Sequence, residues 1–156
     1  KSWTTITLDL NTMNVTSEDI LAYNTNLDNL IVSLKEKNKV NSAICLANMY
    51  SLIPKYTNEI SRDTAKSKLE SVKSNIIFAY SIVETNKWDD VLKLLGQAET
   101  DLTELMTMKE NLSTIRKSKI NKAYVLLKEL IKSSNDKNVD IFYLKYINLM
   151  EELDNL

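Results

Sequence analysis

Residues 65–83, with the sequence AKSKLESVKSNIIFAYSIV, decide the fold of this chain. Their apolar side chains recur three or four positions apart, which is the spacing of one face of an α-helix. The residues of this stripe are Ala65, Leu69, Val72, Ile76, Ala79, Tyr80 and Val83. Ile77 and Phe78 widen the stripe, and a wide stripe is typical of a helix that neighbours cover on more than one side. The stretch therefore predicts a central helix.

The rest of the chain is also poor in residues that interrupt helices. It contains one glycine and one proline among 156 residues, and these two residue types disfavour helix interiors most. Similar apolar stripes lie on both sides of residues 65–83, and Pro54 marks a place where a helix must end or kink. The sequence predicts an all-α fold, an up-and-down bundle of five or six helices.

Residues 1–15 differ from the sequence that follows them. They are rich in threonine, whose branched side chain disfavours a helix, and they show no helical stripe. Thr16 then has the character of an N-cap, with Asp19 three residues later. We therefore predict an N-terminal arm over residues 1–15, with a poorly capped first helix as the alternative, and a single helical domain over residues 16–156, a length that suits one domain.

A short pattern recurs at three of the predicted turns. Polar residues are followed by an apolar residue and then by Asn or Asp, as in Val40-Asn41, Trp88-Asp89 and Val139-Asp140. The apolar residue suits a hydrophobic staple, and the Asn or Asp suits an N-cap. Because the spacing is about 50 residues, the pattern raises a second arrangement, three stacked helical hairpins. The plainer interpretation is that short turns between helices generally select such residues.

The composition removes most catalytic chemistry. Histidine is absent, so no imidazole is present to act as a base near neutral pH or to ligate a metal. The single cysteine, Cys45, stands among apolar residues, which predicts a buried and unreactive thiol. One glycine cannot build a Gly-rich phosphate-binding loop. We therefore predict that the protein is not an enzyme and uses no metal or other cofactor.

Acidic side chains form three short clusters, which matter because two carboxylates across a cleft can hydrolyse a glycosidic bond. The clusters are Asp89 with Asp90, then Glu99, Asp101 and Glu104, then Glu151, Glu152 and Asp154. The first pair suits the first turn of a helix, where the helix dipole favours acidic residues. The others fall among polar positions, so we expect solvated helix faces rather than a catalytic pair.

Two groups of residues are candidates for a binding surface. The first is a basic cluster formed by Arg116, Lys117, Lys119 and Lys122. It offers contacts to phosphate groups, an envelope polyanion or an acidic partner, although a run this short is usually a solvated helix face. The second is the pair Phe142 and Tyr143, which are adjacent, so one of them must lie off the core face. An exposed aromatic ring there favours a binding role.

Three segments of the chain carry a resemblance. They are residues 86–90 (NKWDD), residues 124–130 (YVLLKEL) and residues 140–146 (DIFYLKY). They resemble segments of uncharacterised helical lipoproteins of low-GC, Gram-positive anaerobic bacteria, and the resemblance covers most of the chain. It implies an extracytoplasmic bundle that a lipidated cysteine tethers to the membrane, with no assigned activity. Because the chain begins at Lys1, we expect a mature or trimmed form whose targeting segment has been removed.

These observations favour a non-enzymatic helical interaction module on the bacterial cell surface, which binds a protein or an envelope polymer; the alternative location is the cytoplasm. The alternative function is a small-ligand carrier with a pocket between helices that Tyr, Met and Leu side chains line. A net charge of −1 favours no nucleic-acid partner. We expect membrane contact only through an anchor upstream of Lys1. The sequence specifies neither the partner nor an oligomeric state.

Overall fold

The computed structural model describes residues 15–61, 63–108 and 114–156, and every regular element in these ranges is helical. The α-helices are α1 (Ser17–Lys35), α2 (Lys39–Tyr50), α3 (Ile53–Ser61), α4 (Thr64–Ile82), α5 (Trp88–Thr107), α6 (Thr114–Asn135) and α7 (Val139–Asp154), and a 3₁₀ turn, Val83–Thr85, follows α4. No strand occurs in the described ranges, so the predicted all-α fold is confirmed.

Pro54 lies at a break between two helices, as the sequence predicts. α2 ends at Tyr50, and Pro54 is the second residue of α3. In the first turn of a helix the missing N–H of proline removes no helical hydrogen bond. If α2 and α3 are counted as the halves of one broken helix, the described part of the chain has six helices, within the predicted five or six.

The helices pack as hairpins of consecutive partners. α1 packs on α2, α4 on α5, and α6 on α7, while α5 also contacts α6 and α7 returns to α4. Helices α4 to α7 therefore close a four-helix up-and-down bundle. α2 and α3 lie against α4 from outside this bundle, and α1 packs mainly on α2, so α1 forms an edge of the molecule.

The central helix predicted from residues 65–83 is α4. Its Val72, Ile76 and Ala79 are fully buried, and the three other helices of the bundle contribute fully buried side chains to the same core. These side chains are Leu95 and Leu102 of α5, Leu127 and Leu130 of α6, and Phe142 and Leu149 of α7. Each such residue contributes roughly 1.5–3 kcal/mol when it is removed from water. This shared core is the main force that holds α4 to α7 together.

The three turns within the hairpins have the same backbone geometry. Lys37, Asn86 and Lys137 each occupy the left-handed region, with φ angles of 56°, 59° and 53°. The next residue in each turn is the N-cap of the following helix, and these N-caps are Asn38, Lys87 and Asn138. The three hairpins are therefore related by turn geometry as well as by helix order.

The N-caps that the recurring pattern predicts are wrong. Asn41, Asp89 and Asp140 already lie inside the first turns of α2, α5 and α7. The capping side chains are those of Asn38 and Asn138. Their side-chain Oδ1 atoms accept hydrogen bonds from the backbone N–H groups three residues later, at 3.1 and 3.0 Å.

The first and third hairpin turns also share their hydrogen bonds. The N–H of Asn38 donates to the Ser33 carbonyl at 2.8 Å, and the N–H of Asn138 donates to the Ser133 carbonyl at 3.2 Å. In each turn the preceding lysine N–H makes the second bond of a Schellman motif. Residues 30–38 (LIVSLKEKN) and 130–138 (LIKSSNDKN) share Leu, Ile, Ser, Lys and Asn at matched positions. The two turns are thus alike in both sequence and geometry.

Most of the predicted N-terminal arm lies outside the described residues. Val15 is the one residue of the arm that the structure describes, and its side chain is buried. Within residues 15–61, 63–108 and 114–156, no helix combines the length and the apolar character needed to cross a membrane.

Candidate functional site

Three tyrosine rings meet where α4 and α7 pack together. Tyr80 of α4 stacks on Tyr146 of α7 with ring centroids 4.4 Å apart, and its centroid lies 5.4 Å from that of Tyr143. Tyr143 and Tyr146 are three residues apart, so they are neighbours on one side of α7. Aromatic rings at these separations attract one another beyond the effect of burial. The cluster fixes α7 against α4 and forms one wall of a groove.

The groove lies between the α1–α2 hairpin and the α4–α7 pair, and its volume is about 540 Å³. We call it the tyrosine groove. Its lining comprises Leu34 and Lys37 at the end of α1, Lys39, Ser42, Ala43 and Leu46 on α2, Ile77 and Tyr80 on α4, and Tyr146 on α7. The α2 residues recur at helical intervals, so one face of α2 forms the floor of the groove.

Most of this lining is apolar, although the groove is open to solvent. Leu34 and Leu46 are 60% and 52% exposed. Ser42 is a polar residue on the floor, and its hydroxyl oxygen already lies 2.9 Å from the Ser33 hydroxyl oxygen in a hydrogen bond. The groove therefore offers apolar contact area and few polar groups that would orient a small polar substrate.

One end of the groove carries positive charge. Lys37 and Lys39 both belong to the lining, and the Lys39 Nζ lies 2.6 Å from Glu84 Oε1 and 5.5 Å from the Tyr143 ring centroid. The Tyr143 hydroxyl donates a hydrogen bond to the same carboxylate. For Lys37, no ion pair is found within the described part of the chain. The Lys39 charge is thus neutralised locally, whereas the Lys37 charge is not.

These contacts also set the protonation of the groups beside the groove. The Lys39 ammonium, followed by the Tyr143 hydroxyl, holds the pKa of Glu84 below its usual range. Burial raises the pKa of Tyr146 to about 12, and burial together with the Glu84 carboxylate raises the pKa of Tyr143. Both tyrosines keep their protons at neutral pH, so the Tyr143 hydroxyl donates to Glu84 and neither tyrosine acts as a base.

The predicted aromatic pair has one buried and one partly accessible member. Phe142 is 0% exposed, so its assignment to a binding surface is wrong; it faces the interior of the bundle. Tyr143 lies off the core face, half-buried, with its ring against Tyr80 and its hydroxyl on Glu84. Tyr143 therefore stands beside the tyrosine groove and supports it.

The predicted basic cluster lies on α6, away from the groove, and two of its members serve internal contacts. The Lys122 Nζ lies 2.5 Å from the Glu152 carboxylate, and the Lys119 Nζ donates to the Asn155 carbonyl at 3.0 Å. Both contacts tie α6 to the end of α7. Arg116 is partly exposed, and Lys117 is exposed beside a small cleft of about 210 Å³. The structure does not bring this cluster together with Tyr143.

Two carboxylates depart from the predicted solvated faces. Asp101 and Glu152 are buried, and a lysine neutralises each of them. The Asp101 carboxylate accepts a hydrogen bond from the Ser71 hydroxyl at 2.7 Å, and it lies 3.3 Å from the Lys68 Nζ. Asp101 therefore joins α4 to α5. Among the residues that the structure describes, no group of three or more Cys, Asp or Glu side chains converges as a metal site would require.

A second, smaller cavity of about 250 Å³ lies where α1, α2 and α3 meet. Its lining includes Tyr23, Met49, Leu52 and Tyr56, the residue types that the carrier hypothesis names. This volume is below the range of about 300–1,000 Å³ that is usual for ligand sites. Cys45 of α2 is buried, as the sequence predicts.

Sequence reasoning did not predict the tyrosine groove. Leu34 follows Leu27, Leu30 and Ile31 at helical spacing, a pattern that favours burial, but its side chain is exposed. Leu46 gives no separate signal, because it lies three residues after Ala43 and four before Tyr50, within the apolar stripe of α2.

Comparison of the chain with models of protein families, with curated proteins and with solved structures gives no match.

Proposed function

We propose that this protein is a non-enzymatic interaction module that binds a segment of a partner protein in the tyrosine groove. The observation that carries the proposal is the exposure of Leu34 and Leu46 in an open, apolar groove beside a filled four-helix core. Contiguous apolar surface on a folded protein is typical of an interaction site. An aromatic wall, here Tyr80 and Tyr146, is typical of the residues that dominate binding energy in such sites.

A protein partner suits these features better than an envelope polymer. A polyanionic polymer needs accessible cations, and the basic cluster on α6 uses Lys119 and Lys122 to hold the end of α7. The tyrosine groove, in contrast, presents mainly carbon atoms to solvent. The best contacts for such a surface are apolar side chains of another protein.

The cell-surface location is part of the proposal and rests on the resemblance to bacterial lipoproteins. Identification of the residues that precede Lys1 in the protein from cells tests this location. Mass analysis of protein isolated from cells should find a lipidated cysteine upstream of Lys1. An unprocessed methionine start without a signal segment would instead place the protein in the cytoplasm.

Site-specific photo-crosslinking tests the binding function. A benzophenone amino acid replaces Leu46 in the floor of the groove, and a control protein carries it in place of Leu144. Leu144 is a matched control because it is 65% exposed and does not line the groove. In cells that make the protein, irradiation should produce a discrete protein adduct from position 46 and none from position 144.

The same experiment can contradict the proposal. The adduct should disappear when Ile77 of the groove lining is also replaced by glutamate, provided that circular dichroism shows an intact fold. No adduct, or equal adducts from both positions, would exclude a specific protein site in the groove. An adduct that contains polysaccharide instead of protein would favour an envelope polymer as the partner.

A small-ligand carrier is the second candidate, and the cavity between α1, α2 and α3 favours it because Tyr23, Met49 and Leu52 line that cavity. A carrier should bind a small apolar probe such as anilinonaphthalene sulfonate with a single site per chain. Leu52→Trp, which fills the cavity, should abolish this binding. A fluorescence titration without saturable binding would exclude the carrier.

A further inference from the structure

We infer that the segment bound in the tyrosine groove is an amphipathic helix that places carboxylate side chains next to Lys37. This inference rests on the proposed function and adds the chemical class of the partner to it. Two independent features of the groove support it. The first is the arrangement of the helices around it, and the second is the charge at its end.

The helix arrangement leaves an open gap beside the bundle. α1 packs on α2, α2 on α4, and α4 on α7, but α1 and α7 make no extensive contact with each other in the described structure. The tyrosine groove is the gap between them, with Leu34 of α1 on one side and Tyr146 of α7 on the other. A helix laid in this gap would pack on both, and it would meet them with apolar residues at i, i+3, i+4 and i+7.

An extended peptide would find fewer favourable interactions at this site than a helix would. Recognition of an extended peptide usually relies on the open edge of a sheet, whose backbone groups supply hydrogen bonds. The described ranges contain no sheet, and the backbone groups of α2 beneath the groove are already bonded within the helix. Side-chain packing is therefore the main source of affinity, which is the mode that a helix in a groove uses.

The charge at the end of the groove specifies the polar residues of the partner. Lys37 lines the groove, and the exposed Lys35 lies two residues before it; neither has an ion pair in the part of the chain described here. Glu84 is nearby, but Lys39 and Tyr143 occupy its carboxylate. Glu36 is exposed at the end of α1 and does not line the groove. Carboxylates on the partner would complement this unneutralised charge.

Three labelled peptides of about 18 residues, long enough to form a helix, test the inference. Each peptide carries leucine at i, i+3, i+4 and i+7. The residues that flank this leucine stripe are glutamate in one peptide, glutamine in the second and lysine in the third, and all remaining residues are alanine. Fluorescence anisotropy with the full chain should rank the affinities as glutamate above glutamine above lysine. Leu46→Glu should abolish binding, whereas Leu144→Glu should leave it unchanged.

Because the turns at Lys37 and Lys137 have the same geometry, they provide a matched pair of variants that tests the role of the Lys37 charge. Lys37→Asn removes one charge from the groove, and asparagine tolerates the left-handed conformation of that position. Lys137→Asn makes the same change in the equivalent turn of the third hairpin, which does not line the groove. We expect Lys37→Asn to weaken the binding of the glutamate peptide about three- to fivefold at low salt, and Lys137→Asn to leave this binding unchanged.

The outcomes separate this inference from the proposed function. Equal affinity for the glutamate and glutamine peptides, or equal effects of the two lysine variants, would overturn the role of charge and leave an apolar interaction site in place. If none of the peptides binds, the inference that the bound segment is a helix is overturned. The crosslinking experiment at position 46 tests the proposed function separately. Sedimentation equilibrium is the last check: a dimer that Leu46→Glu converts to a monomer would show that a second copy fills the groove and overturn the inference.

Discussion

Lys39 of α2 and Glu84 of the 3₁₀ turn form an ion pair in which Nζ lies 2.6 Å from Oε1. Tyr143 of α7 donates its hydroxyl to the same carboxylate. These three residues belong to the first, second and third hairpins, so one carboxylate joins all three at the edge of the tyrosine groove. The pair is partly exposed, with 68% of the Lys39 side chain and 34% of the Glu84 side chain accessible to solvent.

Replacement of this carboxylate should weaken the fold only slightly. Glu84→Gln removes the charge that attracts Lys39 but keeps an oxygen that can accept the Tyr143 hydrogen bond. Because solvent screens an exposed pair, we expect the free energy of unfolding to fall by less than about 1 kcal/mol. Urea unfolding at neutral pH measures the change, and Glu151→Gln, at an exposed residue of α7, is the control. A loss several times larger would show that the contact is a principal support of α7.

The same variant should change how stability depends on pH. The contacts lower the pKa of Glu84 below its ordinary value of 4.5, so the folded state holds the ionised form more strongly than the unfolded chain does. The stabilising effect is therefore fully present above pH 4.5 and is lost as the pH falls through the lowered pKa. The difference in unfolding free energy between the wild type and Glu84→Gln should shrink over this acidic range. A constant difference would contradict the contribution of Glu84 ionisation.

Truncation of Trp88 should have a much larger effect. Trp88 is the first residue of α5 and is buried in the shared core, so Trp88→Ala should leave a cavity and lower the unfolding free energy by about 3–5 kcal/mol. Leu144→Ala, at an exposed position of α7, should change it by no more than about 0.5 kcal/mol. Thermal and urea unfolding measure both variants. Equal melting temperatures for Trp88→Ala and the wild type would place the indole outside the core.

The core of the bundle was predictable because it depends on local periodicity. The stripe from Ala65 to Val83 places Val72 and Ile76 on one face whatever the neighbouring helices are, and the structure buries both. Helix ends were less predictable. The recurring pattern locates the turns correctly, but it assigns the caps to Asn41 and its equivalents instead of Asn38, because two polar residues three positions apart can both fit the capping pattern.

The tyrosine groove depends on long-range geometry, which the periodicity of a single helix does not contain. Leu34 continues the apolar stripe of α1, and a stripe shows that a residue faces a neighbour without showing how closely the neighbour approaches. In the described structure α1 rests mainly on α2 and makes no extensive contact with α7, and Leu34 stays exposed. The partners of Lys119 and Lys122 lie near the end of α7, and no sequence spacing reveals that contact.

The single cysteine offers a direct measure of opening of α2. Cys45 is buried, so a thiol reagent should label the native protein slowly and the unfolded protein at once, with one label per chain. A double variant, Cys45→Ala with Leu46→Cys, moves the thiol by one residue to the exposed floor of the tyrosine groove and should react rapidly in the native state. Rapid native labelling of the wild type would show that the α1–α2 hairpin opens readily.

The turn geometry leads to a last prediction, about glycine. Lys37 and Lys137 hold the left-handed conformation, which costs a residue with a side chain about 1–2 kcal/mol. Glycine avoids this cost but loses roughly 0.5–1 kcal/mol of chain entropy on folding. Lys37→Gly and Lys137→Gly should therefore each raise the unfolding free energy by up to about 1.5 kcal/mol, which urea unfolding can resolve.

Asn86 provides the internal comparison for this prediction. It has the same left-handed φ, but asparagine tolerates this region better than lysine does, so Asn86→Gly should stabilise less than the two lysine variants. The effects of Lys37→Gly and Lys137→Gly should also add, because their turns belong to different hairpins and share no hydrogen bond among those described. Destabilisation by either lysine variant would show that the side chain, and not the backbone conformation, governs the stability of that turn.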